Sequence, residues 1–446
     1  MSAGAAIASP AAVTPSGVAA PGVRRRAVFA WCLYDWANSP YITLIMTFVF
    51  STYFTQGVAP NSEKGAAWWG WTMGGSAIVI ALASPVLGAI ADRGGRRKPW
   101  LLALSLVIAA ASLALWWAKP GGGSVALSLV CVAVSIIAFE ISMSFYNAML
   151  PGLVKPSHMG RVSGWGWGLG YLGGLGCLVL ALVVFIQPET PPLGLDKKAA
   201  EHVRTVGPLV AIWLVLFSLP LFLVTPDISG ERVPAGRAIR EGLKQLADTA
   251  REVRQYKEIV RFLVARLLFM EGINTLFTFG GIFAAAVFGL QPNQIIMFGI
   301  LLNVTAAAGA FGFAWMDDLV GSKPTILLGV FAIAALGVPL LLIKSTLWFW
   351  ILGGAIGLFF GPVQAAARTL MARMAPPDKE TEMFGLLTLS GKAISFLGPI
   401  TVATVIDVTG DQRLGMATVL PYIIVGGLIM LMVKAPRQTL PRQTRG

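Results

Sequence analysis

The segment GAIADRGGRRKP, residues 88–99, separates two long apolar runs. Seven consecutive residues within it carry one aspartate and four basic side chains. The runs on either side, residues 68–91 and 100–117, are each long enough to cross a bilayer, because a helical span needs about 20 apolar residues. The pattern therefore predicts two transmembrane helices joined by a short charged loop.

Apolar runs of this length recur along the whole chain. Of its 446 residues, 56% are hydrophobic and only 12% are charged, compared with about 25% charged residues in soluble domains. The composition therefore predicts an all-α membrane protein with twelve transmembrane helices. The predicted spans lie near residues 27–53, 68–91, 100–117, 125–149, 162–186, 207–224, 262–287, 295–316, 325–343, 347–367, 383–406 and 414–433.

One long polar insert divides these spans into two sets of six. Within it, Ile239, Leu243, Leu246, Ala250 and Val253 recur at helical spacing, which predicts an amphipathic linker helix lying on the membrane surface or against the bundle. The predicted organisation is a disordered tail at 1–23, a six-helix bundle at 24–224, a cytoplasmic linker at 225–261, a second six-helix bundle at 262–433 and a cytoplasmic tail at 434–446.

The net charge of +13 is unevenly distributed. The tails and the loops that follow even-numbered spans hold 25 of the 34 Lys and Arg residues, and the other loops hold 7. The positive-inside rule then places both termini in the cytoplasm. We expect a multi-pass protein of the cell (cytoplasmic) membrane whose basic loops face lipid headgroups. The basic excess is explained by topology, so no nucleic-acid partner is expected.

Metal and cofactor chemistry is not indicated. The three cysteines, Cys32, Cys131 and Cys177, fall inside apolar runs, and the two histidines, His158 and His202, lie in loops. Their spacing fits neither a metal site nor a disulfide framework. We expect no metal and no bound cofactor.

The two halves repeat each other. In YDWANSPY, residues 34–41, Asp35 precedes Asn38 by three positions, and Glu271 precedes Asn274 equally in MEGINTLF, residues 270–277. The charged loop recurs more weakly as AWMDDLVGSKP, residues 314–324. Two related halves around a midplane site are a common plan of secondary transporters.

The first charged loop resembles the loop 2–3 motif of the major facilitator superfamily. The resemblance implies a cytoplasmic gating latch, and the glycines are expected to permit a tight turn. In the second copy, Leu319 and Ser322 replace the usual arginines, so we expect no effective latch there. The matching residues of the first loop are Gly88, Asp92, Arg93, Gly95, Arg96 and Arg97.

Further segments resemble one branch of that superfamily, the vacuolar amino-acid effluxers. They are YDWANSPY, FYNAMLPGL at 145–153, RVSGWGWGLGYLGG at 161–174 and FGLLTLSGKAISFLGP at 384–399. The resemblance spans both halves and implies two pseudo-symmetric six-helix bundles that export amino acids. Glu271 stands where an aspartate is expected in this branch.

Four charges lie well inside predicted spans: Asp35, Glu140, Glu271 and Lys392. Each is nine to eleven residues from the residue that marks the cytoplasmic edge of its span, which is roughly 15 Å and half of a hydrocarbon core about 30 Å thick; the markers are Arg26, Pro151, Arg261 and Glu382. The resemblance implies that these four spans border a central cavity. The candidate substrate and proton site comprises Asp35, Asn38, Glu140, Tyr146, Asn147, Glu271, Asn274 and Lys392, and Trp165 is a candidate contact.

Intramembrane charges need a partner or a hydrated cavity, because each costs about 3 kcal/mol or more at the helix centre. A structural ion pair of Lys392 with one acid is one explanation. Because Asp35, Glu140 and Glu271 are three acids, at least one carboxylate would remain without a partner. Arg266 is expected to pair with an acid or to snorkel outward, and Arg368 to snorkel or to join a cytoplasmic gate. Burial favours protonation of a carboxylate, so the surplus acid is predicted to exchange protons. Asp35 is the first candidate, and Lys392 is predicted to hold a substrate carboxylate.

The leading functional hypothesis is a monomeric secondary transporter of amino acids or similar small zwitterions, driven by a proton gradient. Efflux of cationic or apolar compounds is the alternative transport hypothesis, because cavity acids attract cations. A transport-dead membrane sensor is the alternative from another class. An enzyme is not expected, since the sequence offers no cluster of nucleophile, base and orienting residue.

Overall fold

The computed structural model describes residues 21–94, 96–227, 235–251 and 255–436. Eleven helices in these ranges are long and apolar enough to cross a membrane. They are α2 (Ser62–Gly94), α3 (Lys98–Trp117), α4 (Val125–Leu153), α5 (Pro156–Ile186), α6 (Glu201–Val224), α7 (Lys257–Phe288), α8 (Gln294–Val320), α9 (Ser322–Leu342), α10 (Thr346–Met374), α11 (Glu380–Thr409) and α12 (Gln412–Met432).

The first helix, α1, completes the set of twelve. It comprises the α-helix Pro21–Pro40 and the π-helical turns Tyr41–Phe48, and it packs against α5 and α6. Pro40 frees the carbonyl of Trp36, because proline has no N–H to donate to it. The indole of Trp213 donates to that carbonyl over 3.2 Å.

The described residues are almost entirely helical and contain no strand, so the all-α, twelve-helix prediction is confirmed. The helix includes the last three residues of the predicted N-terminal tail, 21–23, and the rest of that tail, residues 1–20, lies outside the described ranges.

Helices α1–α6 form the N-terminal lobe and α7–α12 the C-terminal lobe. The lobes meet where α2 packs on α11 and where α5 packs on α8 and α10. A Cβ on Gly88 of α2 would lie 2.5 Å from the carbonyl oxygen of Thr381, and a Cβ on Gly385 of α11 would lie 2.5 Å from that of Ser84. The expectation that Gly88 serves a tight turn is therefore wrong. It lies inside α2 and lets two helices of different lobes approach closely.

The linker helix, Ala235–Arg251, packs against α2. Its buried residues are Ala238, Gly242, Gln245 and Thr249, whereas Ile239 and Leu243 of the predicted apolar face are 46% and 47% exposed. The helix thus lies against the bundle, one of its two predicted locations, while Ile239 and Leu243 of the predicted apolar stripe are exposed. Small side chains allow close approach, as a Cβ on Gly242 would lie 2.7 Å from Cα of Ile90. Val253 of the predicted stripe lies outside the described ranges.

Candidate functional site

The charged loop between α2 and α3 forms a latch between the lobes. The guanidinium of Arg97 lies 3.0 Å from Asp92 in its own lobe and 2.8 Å from Glu380 in the other. Asp92 also accepts hydrogen bonds from the backbone N–H groups of Thr381 and Glu382, over 3.1 and 2.8 Å. A carboxylate at the N-terminus of α11 stabilises that end, because the first N–H groups of a helix have no partner within it.

The remaining predicted latch residues are placed differently. Arg93 and Arg96 are exposed and make no ion pair within the described residues. Gly95 lies outside those ranges. Arg97 is thus the latch arginine of this loop.

A second latch joins α5 to α8. Asp318 accepts from the backbone N–H of Gly160 over 2.8 Å and pairs with Arg161 over 2.7 Å. Neighbouring Asp317 pairs with Arg373 of α10 over 2.6 Å. A latch thus forms at the second loop despite Leu319 and Ser322, because arginines on α5 and α10 replace those missing from the loop. We call the end of the bundle that holds both latches the latch end.

Further inside, Asp35 of α1 pairs with Arg368 of α10. One carboxylate oxygen lies 2.9 Å from Nη1, and both side chains are buried. The guanidinium also donates to the hydroxyl and the carbonyl of Ser163, and more distantly to Oδ1 of Asn147 at 3.4 Å. The rings of Trp31, Tyr146 and Trp167 lie 4.9, 5.7 and 5.5 Å from its central carbon.

The predicted alternatives for Arg368 were snorkelling and a cytoplasmic gate, and these contacts exclude snorkelling. Its donors find their acceptors on three helices of the other lobe, inside the bundle, and the surrounding aromatic faces favour a cation. Tyr146 is part of this packing, since its hydroxyl donates to the carbonyl of Trp31 over 2.9 Å and its ring stacks on that indole.

Another inter-lobe ion pair lies between α4 and α11. Nζ of Lys392 is 2.6 Å from the carboxylate of Glu140, and the two side chains are 27% and 22% exposed. One turn away along both helices, the hydroxyls of Ser144 and Thr388 are 3.2 Å apart. This pair is therefore less buried than that of Asp35, and Lys392 already has an acid as its partner.

Glu271 of α7 binds the point where α11 breaks. Within α11, the helical segments Glu380–Ala393 and Leu397–Thr409 are separated by a short turn. The backbone N–H of Gly398 in the second segment donates to Glu271 over 2.8 Å. No Lys, Arg or His nitrogen of the described chain lies within 4.0 Å of this carboxylate. The acid without a cationic partner is therefore Glu271, whereas Asp35 was predicted to fill that role.

The other candidates lie apart from these groups. Asn38 is buried beside the sulfur of Met143, with 3.7 Å between Nδ2 and Sδ. Asn274 is exposed, and its side chain makes no hydrogen bond to the described residues. Trp165 packs edge-on against Trp315. The eight predicted residues are thus spread over separate contacts.

Arg266 of α7 is a partly buried cation that forms no ion pair within 4.0 Å among the described residues, and Glu140 is the acid that acts on it electrostatically. Its Nη1 donates to the carbonyl of Leu387 over 3.2 Å, while its Nε has no partner among the described residues. The predicted alternatives for Arg266 were an acidic partner and outward snorkelling, and among the described residues it forms no ion pair.

Beyond these charges, away from the latch end, a cavity of about 330 Å³ lies between the lobes. On α10 it is lined by residues that precede Arg368, and on α7 by residues that follow Glu271. Its polar lining includes Thr43, Tyr171, Thr278 and Asn303, and its aromatic lining includes Phe48, Phe277, Phe298, Phe349 and Phe360.

None of the eight predicted site residues lines this cavity. The hydroxyl of Tyr171 is buried there without a partner among the described residues, and its ring lies 5.8 Å from that of Trp167, which in turn lies over Arg368. Tyr171 occurs in one of the quoted family-like segments. The signal that could have found it is its place four residues, one helical turn, after Trp167.

Comparison with known proteins identifies the family. The model of the family described as vacuole effluxer Atg22 like matches residues 71–440. The chain belongs to this family. An uncharacterized MFS-type transporter of Bacillus subtilis, YxiO, is 26% identical over 414 residues, which cover 92% of this chain and 95% of the relative. Autophagy-related protein 22 of Pichia angusta is 21% identical over 514 residues, which cover 91% of each chain.

Solved structures show the same fold. FucP, a major facilitator superfamily transporter in the outward conformation, matches with a TM-score of 0.70 at 13% identity, covering 92% of this chain and 98% of its own. The proton:xylose symporter XylE matches with a TM-score of 0.69 at 13% identity, covering 93% and 95%. This member of the Atg22-like family is an integral multi-pass membrane protein and a major facilitator superfamily transporter. It is not an enzyme.

Proposed function

We propose that this transporter moves amino acids or similar small zwitterions by alternating access and that proton movement drives it. The observation that carries the proposal is the cavity between the two lobes. On the latch side of this cavity, inter-lobe ion pairs hold the bundle closed. Breaking those pairs would open the latch end, and closing the lobes over the cavity would shut the other end. Rocking of two lobes around a fixed midplane site is the general form of alternating access.

The unpaired charges support a zwitterionic solute. Neither Glu271 nor Arg266 forms an ion pair within 4.0 Å among the described residues, although both lie inside α7. Each would gain stability from an opposite charge, because an uncompensated charge inside the membrane is costly. An ammonium group suits Glu271 and a carboxylate suits Arg266. Arg266 thereby takes the role first predicted for Lys392, which is paired with Glu140.

The cavity favours a small solute. Its volume of about 330 Å³ lies at the lower end of the range for small-molecule sites, which is roughly 300–1,000 Å³. The aromatic lining also supports the second candidate function, efflux of apolar compounds, since most of its side chains offer no polar partner.

The proposal also includes the membrane in which the protein lies and the side of that membrane which the latch end faces. The excess of Lys and Arg in the loops at the latch end favours a cytoplasmic location for that end and for both termini. We place the protein in the cell membrane, where a proton gradient is available, and we propose that it acts as a monomer.

Transport in liposomes tests the proposal. Purified protein is reconstituted, a pH gradient is imposed and uptake of radiolabelled amino acids is screened. We expect accumulation that collapses when the gradient is dissipated. Accumulation of hydrophobic cations but of no amino acid would favour the second candidate, and accumulation of an amino acid that is indifferent to pH would refute proton coupling.

The variant Glu271→Gln identifies the coupling group. The glutamine oxygen can still accept from Gly398, so the broken helix keeps its contact, but the side chain no longer titrates. We expect gradient-driven accumulation to be lost while exchange of solute across the membrane persists. Glu258→Gln is the matched control, because Glu258 lies on the same helix and pairs with Arg261 at its end. Wild-type accumulation by Glu271→Gln would exclude Glu271 as the coupling group.

A further inference from the structure

A carboxyl group that no predicted role accounts for lies at the latch end. The side chain of Glu382 is 0% exposed where α11, α2 and the linker helix meet. Its Oε2 lies 2.5 Å from Nε2 of Gln245 on the linker helix. Its Oε1 is buried and has no hydrogen-bond partner among the described residues.

No cation in the described chain compensates this carboxyl group, since no Lys, Arg or His nitrogen lies within 4.0 Å of it. Asp92 accepts a hydrogen bond from the backbone N–H of Glu382. A second negative charge beside Asp92 would be unfavourable, because like charges at a buried site oppose each other.

Other charged groups on the surrounding helices are engaged or exposed. On the N-terminal lobe, Arg97 binds Asp92 and Glu380, while Arg93 is exposed. Lys379 donates to the hydroxyls of Thr249 and Tyr256. The remaining groups are Glu140 with Lys392, Arg266 on the carbonyl of Leu387, Arg237 with Glu241, Asp248 with Arg251, Glu258 with Arg261, and exposed Arg240 and Lys244.

We propose that Glu382 is a proton-binding site of the latch, occupied while the latch end is closed and emptied when it opens. A protonated carboxyl group is neutral and can donate its O–H, and the amide of Gln245 offers both a donor and an acceptor. When the lobes part, the O–H bond of the acid breaks, water receives the proton and the carboxylate becomes hydrated.

This inference rests on the proposed alternation between closed and open lobes, and it adds a pH dependence to it. Because the closed state binds one proton more than the open state, the closed state gains as pH falls. The ratio of closed to open molecules is expected to change by up to about tenfold per pH unit. Gln245 ties the linker helix to this change, since opening removes its partner.

The experiment measures opening directly and needs no solute. Spin labels are placed at Lys155→Cys and Leu319→Cys, two exposed positions at the latch end on different lobes. The three native cysteines are free and buried, so controls without the new cysteines report any background labelling. Distances are measured by double electron–electron resonance on the full chain in nanodiscs between pH 5 and pH 8, in roughly unit steps.

We expect the long-distance population of the wild-type sequence to grow as pH rises. Glu382→Gln should abolish this response and keep the latch end closed. If the glutamine variant does not fold, Glu382→Met provides a second neutral side chain of similar length and should give the same result. The matched control is Glu380→Gln, which removes a latch carboxylate two residues away that pairs with Arg97. It should open more readily and retain the pH response.

A wild-type protein whose distances ignore pH, or a Glu382→Gln variant with the wild-type response, would overturn the proposal. Because the readout is a distance, its outcome is separate from transport. If the Glu382 response is found but no amino acid is carried, the proton site stands and the proposed solute is wrong.

Discussion

Arg368 lies one residue beyond the predicted end of the tenth span, and its surroundings could not be read from that position. Helix α10 continues to Met374, so Arg368 lies inside the helix and not beyond its end. Its guanidinium binds Asp35, Ser163 and Asn147 of the other lobe. Sequence spacing gives the depth of a charge within its own helix, but the partner on another helix depends on how the lobes pack.

The Asp35–Arg368 pair is testable by a double-mutant cycle. Asp35→Asn leaves the guanidinium buried without its carboxylate, which typically costs about 3–5 kcal/mol. Arg368→Gln should cost a similar amount, and the double variant should cost less than the sum because neither charge remains. Thermal unfolding in detergent measures all three. Additive losses would show that the two side chains are not energetically coupled.

At the scale of the element, apolar runs predicted the helices well and their interruptions poorly. All twelve predicted spans coincide with helical segments, and eleven match a spanning helix of the described residues to within seven residues at each end, because a run of about 20 apolar residues favours a helix across the bilayer. The break in α11 and the buried face of the linker helix were missed. Both depend on close backbone contacts at Gly398 and Gly242, and hydrophobic periodicity carries no information about such contacts.

The α2–α11 seam predicts a specific effect of one methyl group. Gly88→Ala would place a Cβ 2.5 Å from the carbonyl oxygen of Thr381, so we expect the two helices to separate and the open population at the latch end to rise severalfold. Spin labels at Lys155→Cys and Leu319→Cys measure that population.

The control is Gly74→Ala on the same helix, where a Cβ would meet nothing within 4 Å. Equal populations in the two variants would show that the close contact at Gly88 does not hold the latch end closed.

At the scale of the whole molecule, the inter-lobe ion pairs lie on one side of the cavity. The repeated motifs predicted two lobes and charges at similar depths, but the charges form separate contacts and the cavity lies beyond them. In the described residues, the closed latch end therefore does not contain the predicted central cavity lined by all of these charges. The residues that line a cavity change with the conformational state. The sequence is the same in every state, so it does not predict the lining of one of them.

The most direct test of alternating access is to lock the latch end and measure transport. The hydroxyls of Ser144 and Thr388 face each other across the lobes at 3.2 Å, so Ser144→Cys with Thr388→Cys should form a disulfide under oxidising conditions. We expect oxidation to stop gradient-driven amino-acid uptake into proteoliposomes and reduction to restore it, with no effect on either single variant. Undiminished uptake by the fully cross-linked protein would contradict the account.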